Sequence, residues 1–125
     1  MIVRFLVLIG LPLVAARILS VLIMEGRPLS LDELSRKTGY VKSHISTTLK
    51  YLEEKLVIEK IYGKRKKLMV KLKEGALKNL LMDHIEKLKN HINEIIEYMS
   101  YSEKRIDAII RDLSDVLEKL EVDKD

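Results

Sequence analysis

The stretch Ile2 to Met24, IVRFLVLIGLPLVAARILSVLIM, has to be hidden from water, and few arrangements can hide it. Its only charges are Arg4 and Arg17. Roughly 20 apolar residues cross a bilayer, so length alone suits a membrane span. Arg17 opposes that reading, because an arginine at the bilayer centre costs roughly 2.5–3.5 kcal/mol on insertion scales. A cleaved leader is the second alternative, with Arg4 ahead of an apolar run and Val14-Ala15-Ala16 as a cleavage site. Gly10-Leu11-Pro12 opposes both, since it interrupts the run and Pro12 suits a first helical position. The stretch therefore reads as two helices of a soluble protein, about Val3 to Ile9 and Leu13 to Met24, with no membrane partner. Helices apolar all round are buried on more than one side. A chain of 125 residues has little interior to offer them, so a subunit interface is the expected place.

That length is the size of one domain. With 47% apolar and 34% charged residues, the composition is that of a folded soluble protein rather than a disordered one. The absence of cysteine excludes disulfides, thiolate zinc sites and a cysteine nucleophile, and fits a reducing, cytoplasmic compartment. Glutamine is absent too, while lysine, glutamate and isoleucine abound, a usage seen in thermophilic proteins. The net charge of +4 is unevenly spread. Residues 25–74 carry 13 Lys/Arg against 7 Asp/Glu, whereas residues 75–125 carry 8 against 12. A basic middle beside an acidic end marks where a polyanion would bind.

The basic middle has an ordered pattern. Gly26 and Pro28 end the second apolar helix. Ser30 and Glu33 form a capping-box pair, which predicts a helix from Leu31 to about Thr38, stopped by Gly39. A further helix is predicted over about Lys42 to Lys55, with Ile45, Leu49, Leu52 and Leu56 on one narrow apolar stripe. Its opposite face holds Ser43, Thr47, Lys50 and Glu54, flanked by His44, Ser46 and Tyr51. Small hydroxyls, a histidine and lysines come first, and the acidic Glu53 and Glu54 come last. That order suits a helix entering a DNA major groove N-terminus first. By itself it equally suits a solvated face. Val57 to Tyr62 and Leu68 to Leu72 then read as strands, joined by Gly63-Lys64-Arg65-Lys66-Lys67. Four consecutive cations repel one another and stabilise nothing locally. They fit a wing lying on the phosphate backbone or in the minor groove better than a solubilising turn.

In order and spacing these pieces resemble the MarR-type (MarR-like) winged helix-turn-helix transcriptional regulators, and more narrowly the branch named for the regulator of glycine-betaine synthesis. The resemblance runs from about Leu8 to Leu72. It rests on Gly10-Leu11-Pro12, Pro28-Leu29-Ser30-Leu31-Asp32-Glu33-Leu34-Ser35, Lys42-Ser43-His44-Ile45-Ser46-Thr47 and Lys60-Ile61-Tyr62-Gly63-Lys64. It implies a homodimer that binds double-stranded DNA in a sequence-specific way and controls transcription. Two departures stand out: Val41 replaces the usual serine cap, leaving the cap to Ser43 or to the turn itself, and the usual glycine near Lys55 is missing.

Beyond Gly75, Leu81, Ile85, Leu88, Ile92, Ile95 and Met99 follow heptad spacing and form an expected dimerisation seam. Ile106, Ile110, Leu113, Leu117 and Leu120 repeat the spacing. An unbroken register selecting Ile106, Ile109, Leu113, Val116 and Leu120 fits as well, so one long helix and two are both open. Ser100 with Glu103 offers a capping pair and favours a break near Ser100. The last helix could instead fold back on its own chain. His84 and His91 are too far apart on a helix to share a metal, and Tyr98 and Tyr101 could help cage a cationic effector. The predicted fold is mainly α with a small β-hairpin wing. Residues 1–74 form the winged helix-turn-helix and residues 75–125 a helical, coiled-coil-like dimerisation region. No enzyme, cofactor or metal is expected. Lys42, Ser43, His44, Ser46, Thr47, Lys50, Lys64, Arg65, Lys66 and Lys67 are the expected DNA-binding residues. A protein-interaction module of the same fold is the alternative.

Overall fold

The computed structural model describes residues 1–102 and 106–121. The chain divides into two compact units, Met1–Leu81 and Met82–Asp125. The first contains α1 (Ile2–Leu8), α2 (Leu13–Glu25), β1 (Leu29–Ser30), α3 (Leu31–Thr38), α4 (Lys42–Glu54), β2 (Ile58–Tyr62), β3 (Leu68–Leu72) and the start of α5 (Ala76–Tyr101). Its architecture is a winged helix-turn-helix. No helix among the described residues is long and apolar enough to cross a membrane.

The core is built around α2. Ala15, Ala16, Ile18, Leu19 and Leu22 are all buried, and Leu6, Leu34, Ile45, Leu49, Leu52, Val57 and Val70 belong to the same cluster. Two alanines in succession let neighbouring backbones come close, which is how a small domain surrounds one helix. The expectation that this helix needs a subunit interface is therefore corrected: α3, α4 and the sheet bury it within its own chain. The other apolar helix differs, since α1 leaves Leu8 76% and Phe5 42% exposed.

The sheet has the order β1-β3-β2, all antiparallel. Its β2–β3 hairpin matches the predicted strands, with Lys60 opposite Val70 at its centre. The two-residue β1 is an addition to the predicted elements. It sets Leu29 opposite Val70 and Ser30 opposite Met69, fastening the start of the helix-turn-helix to the wing. Ser30 then caps α3 as the capping box requires: Glu33 N–H donates to Ser30 Oγ at 3.2 Å, and Ser30 N–H donates to Glu33 Oε1 at 3.3 Å. Gly26 and Gly39 take the left-handed conformation at the ends of α2 and α3.

Helix α4 ends at Glu54, and Leu56 beyond it is left-handed (φ 61°) and about half exposed. Leu56 therefore does not join the buried stripe of Ile45, Leu49 and Leu52. The ending is a Schellman motif: Leu56 N–H donates to Glu53 O at 3.0 Å and Val57 N–H to Leu52 O at 3.1 Å. Leucine stands where glycine would be unstrained. Asn79 Nδ2 donates to Leu56 O at 2.9 Å and helps hold that turn.

In the second unit, α5 continues to Tyr101 and α6 spans Asp107–Glu121, so its described residues form two helices. Ser100 does not cap a new helix: it lies inside α5 and its Oγ donates to Ile96 O at 2.8 Å, while Glu103 lies outside the described residues. Lys89 Nζ sits 3.3 Å from Glu121 Oε1. With a rise of about 1.5 Å per residue, the end of α6 reaches Lys89 only if α6 runs back along α5. The fold-back alternative is the observed one.

Glu33 ties the capping box to the α2–α3 connection, since Arg27 Nη2 lies 2.7 Å from Glu33 Oε2. The guanidinium first, and the Ser30 N–H second, lower the carboxyl pKa from 4.5 to about 2. A depressed folded-state pKa means stability that is present above 4.5 and lost as pH falls toward 2. Glu25 beside Lys37 and Asp32 beside Lys42 are shifted in the same direction. Glu33→Gln keeps a capping partner and removes the charge. In thermal melts from pH 7 to pH 2 it is expected to lower Tm at pH 7 and to flatten the decline between about pH 4.5 and pH 2.

Candidate nucleic-acid interface

Helix α4 turns its buried stripe inward and leaves Lys42, Ser43, His44, Thr47 and Lys50 exposed, with Ser46 half-buried. All the expected helix residues thus lie on or beside the solvent face. Neither Ser43 nor any other side chain caps the helix: Val41 stands at the N-cap without a side-chain bond, and His44 and Ile45 N–H both donate to its carbonyl at 3.1 Å. Thr47 Oγ1 donates to Ser43 O at 3.1 Å. Its hydrogen is thereby committed to the helix, which leaves the hydroxyl as an acceptor and its methyl as an apolar contact. Such a group can take an amino hydrogen from a base edge or meet a thymine methyl.

The wing carries Lys64, Arg65, Lys66 and Lys67, all exposed. Arg65 (φ 61°, ψ 29°) and Lys66 (φ 58°) are both left-handed, and Lys67 N–H returns to Lys64 O at 3.4 Å. This is the backbone of a type I′ turn, whose central positions favour Asn and Gly. Two long cationic side chains occupy them instead. The sequence pattern locates the turn but not its conformation, because Arg-Lys is not a signal for it.

The start of α4 and the end of the wing turn come together around Asp32. A cleft of about 200 Å³ is lined by Ser30, Leu31, Asp32, Lys42, Lys67 and Leu68. In it Asp32 pairs with Lys42 of α4, and Lys67 of the wing also lowers the Asp32 pKa, after the larger effect of Lys42. The role of Asp32 is not readable from sequence, since its partner lies ten residues on, across the turn. Two further neighbours of α4 are equally hidden there. Arg17 of α2 donates from Nη1 to Tyr40 Oη at 3.2 Å, and the Tyr40 ring lies edge-on to His44 with centroids 5.5 Å apart.

The expected dimerisation seam is divided in the single chain. Ile92 is buried, Leu81, Ile85 and Met99 are half-buried, and Leu88 and Ile95 are exposed. Tyr98 and Tyr101 line an open cleft with Glu94, Glu97 and Ser102, but at 77% and 85% exposure they enclose nothing.

Comparison with known proteins gives a likeness of fold. No protein-family model matches the chain, and no curated protein matches it. Among solved structures it is similar to the crystal structure of a transcriptional regulator, with a TM-score of 0.62 and 16% identity over 95% of this chain and 82% of that one. It also matches the transcriptional regulator BldR from Sulfolobus solfataricus at 21% identity over 82% of this chain and 72% of that one, with a TM-score of 0.44. The first of these shares the mainly helical fold with its small antiparallel sheet.

The left-handed wing positions give a direct test of strain. Glycine at residue 66 removes a penalty of roughly 1 kcal/mol for a side chain at positive φ. Lys66→Gly is therefore expected to raise the unfolding free energy in urea titrations by about that amount, less glycine's own entropic cost. A clearly lower midpoint would show that Lys66 is not held left-handed.

Proposed function

We propose that this chain is a homodimeric transcriptional regulator that binds double-stranded DNA in a sequence-specific way, of the MarR-like kind its sequence resembles. The observation that carries the reading is the shared cleft at which Lys42 of α4 and Lys67 of the wing meet. The start of α4 and the end of the cationic turn flank that cleft. In this reading Ser43, His44, Ser46, Thr47 and Lys50 approach base edges, whereas Lys42 and Lys64 to Lys67 hold phosphates. Lys42 exchanges Asp32 for a phosphate oxygen on binding. The exposed Leu88 and Ile95 of α5 supply surface for a second copy. Two linked reading heads then address half-sites about one helical turn apart.

Duplex affinity should fall steeply with salt, with a log–log slope of about −0.9 for each phosphate neutralised. Fluorescence anisotropy across a salt series, on duplexes selected from a random pool, measures it. Neutralising Lys64 to Lys67 together should weaken binding and flatten the slope by about 0.9 for each phosphate that no longer meets a cation. No duplex binding at low salt would sink the proposal and favour a protein-interaction module. The dimer is tested separately. Leu88→Glu with Ile95→Glu should shift sedimentation velocity from dimer to monomer and lower affinity for a two-half-site duplex. A wild-type chain that sediments as a monomer at binding concentrations rules the dimer out.

A further inference from the structure

Tyr40 sits in the turn just ahead of α4 and is held from several directions. Its carbonyl accepts from Ser35 Oγ at 2.7 Å, and its N–H donates to Thr38 Oγ1 at 3.3 Å. Thr38 Oγ1 is itself fixed by donating to Leu34 O at 2.6 Å. These bonds come from α3 and set the Tyr40 backbone. The ring is partly buried against the core, and its hydroxyl accepts from Arg17 Nη1, which reaches over from α2. The ring meets His44 at an interplanar angle of 62°. His44 is exposed on the first turn of α4, where a groove-entering helix makes its base contacts. An exposed imidazole on a helix ordinarily samples more than one staggered rotamer. A ring anchored at its backbone, its apolar face and its hydroxyl forms a wall that removes some of them.

We infer that Arg17 and Tyr40 form a positioning pair for His44. Arg17 fixes the Tyr40 ring, the ring aims the imidazole, and base preference at one position depends on two residues outside the recognition helix. The inference rests on the DNA-binding reading. Arg17 is the one charge inside α2 ahead of its terminal Glu25, and this gives that charge a use. It also explains a tyrosine here rather than a phenylalanine, whose ring would pack as well but offer Arg17 no hydrogen-bond acceptor.

The test compares discrimination among single-base variants of a selected duplex. His44→Ala identifies the base pair that His44 reads, as the position where preference collapses. Tyr40→Leu and Arg17→Met are expected to reduce preference at that same pair by about five- to tenfold, within the range of one base contact. Preferences elsewhere should stay, Arg17→Lys should restore most of the loss, and Tyr40→Leu should add nothing to His44→Ala. Circular dichroism melts check that each variant folds. If Tyr40→Leu does not fold, Tyr40→Phe removes only the hydroxyl and must reproduce Arg17→Met. Without DNA, NMR couplings of His44 should report one dominant χ1 rotamer in the wild type and averaging in the variants. The inference is overturned if His44→Ala changes no base preference, or if the Tyr40 and Arg17 variants keep the wild-type preference. It is also overturned if Arg17→Met weakens all duplexes alike and flattens the salt slope by about 0.9, which marks a phosphate contact instead. A wild type that binds no duplex fails the DNA-binding reading itself, a distinct result.

Discussion

The burial of α2 inside its own unit is the constraint on which the rest depends. Ala15 and Ala16 leave room for other elements to close in, while Ile18, Leu19 and Leu22 fill the space behind them. A fully buried aliphatic side chain of this size contributes roughly 1.5–3 kcal/mol, so three on one short helix outweigh any surface ion pair in the molecule. α3, α4 and the sheet are held because each places an apolar face in the same cluster. The polar face of α4 points outward as a consequence, since Ile45, Leu49 and Leu52 have only one place to go.

Local backbone preferences agree with this packing almost everywhere, which makes the disagreements informative. Among the described residues, three other than glycine have positive φ: Leu56, Arg65 and Lys66. Leu56 has a structural account, because its Schellman turn lets Val57 and Leu52 both be buried and Asn79 binds its carbonyl. Arg65 and Lys66 have no comparable contact. Their turn packs nothing, Asn and Gly would form it with less strain, and the side chains kept there are cations. A position that costs stability and carries charge into solvent is better explained by what the charge meets than by the fold.

Much of the first unit is legible from local signals. The capping box at Ser30 and Glu33, the stop at Gly39 and the two wing strands depend on residues within a few positions of one another, and each appears where expected. What escapes the sequence depends on distance or brevity. A two-residue β1 has no periodicity to detect, and its pairing with β3 spans about forty residues. The burial of α2 by its own chain depends on how tightly three later elements wrap it. Periodicity runs α4 one residue too far, because Leu56 extends the apolar spacing while its backbone has already left the helix. The link from Arg17 to Tyr40 spans 23 residues of unrelated pattern. Leu113, Leu117 and Leu120 fit their spacing in either direction of travel, so only a contact such as Lys89–Glu121 distinguishes the fold-back of α6.

Charge pairing sharpens what the uneven composition only suggests. Within the basic middle, Arg27 faces Glu33, Lys37 faces Glu25, Lys60 faces Glu53 and Lys71 faces Glu59. These pairs are partly or largely solvent-exposed and add little stability individually, but each cancels a charge locally. Lys64, Arg65 and Lys66 are left in no ion pair among the described residues, and so is Lys50 on the outer face of α4. Arg36 and Lys73 are likewise in no ion pair among the described residues, so part of the excess positive charge of residues 25–74 lies elsewhere on the unit. The rest lies on the wing tip and the outer side of α4, the places a phosphate backbone would meet if α4 lay in a groove beside it. Lys42 is the intermediate case, a cation at the head of α4 already holding Asp32. Trading that carboxylate for a phosphate conserves the pairing of Lys42, and Asp32, whose side chain is 56% exposed, is left to solvent rather than buried without a partner.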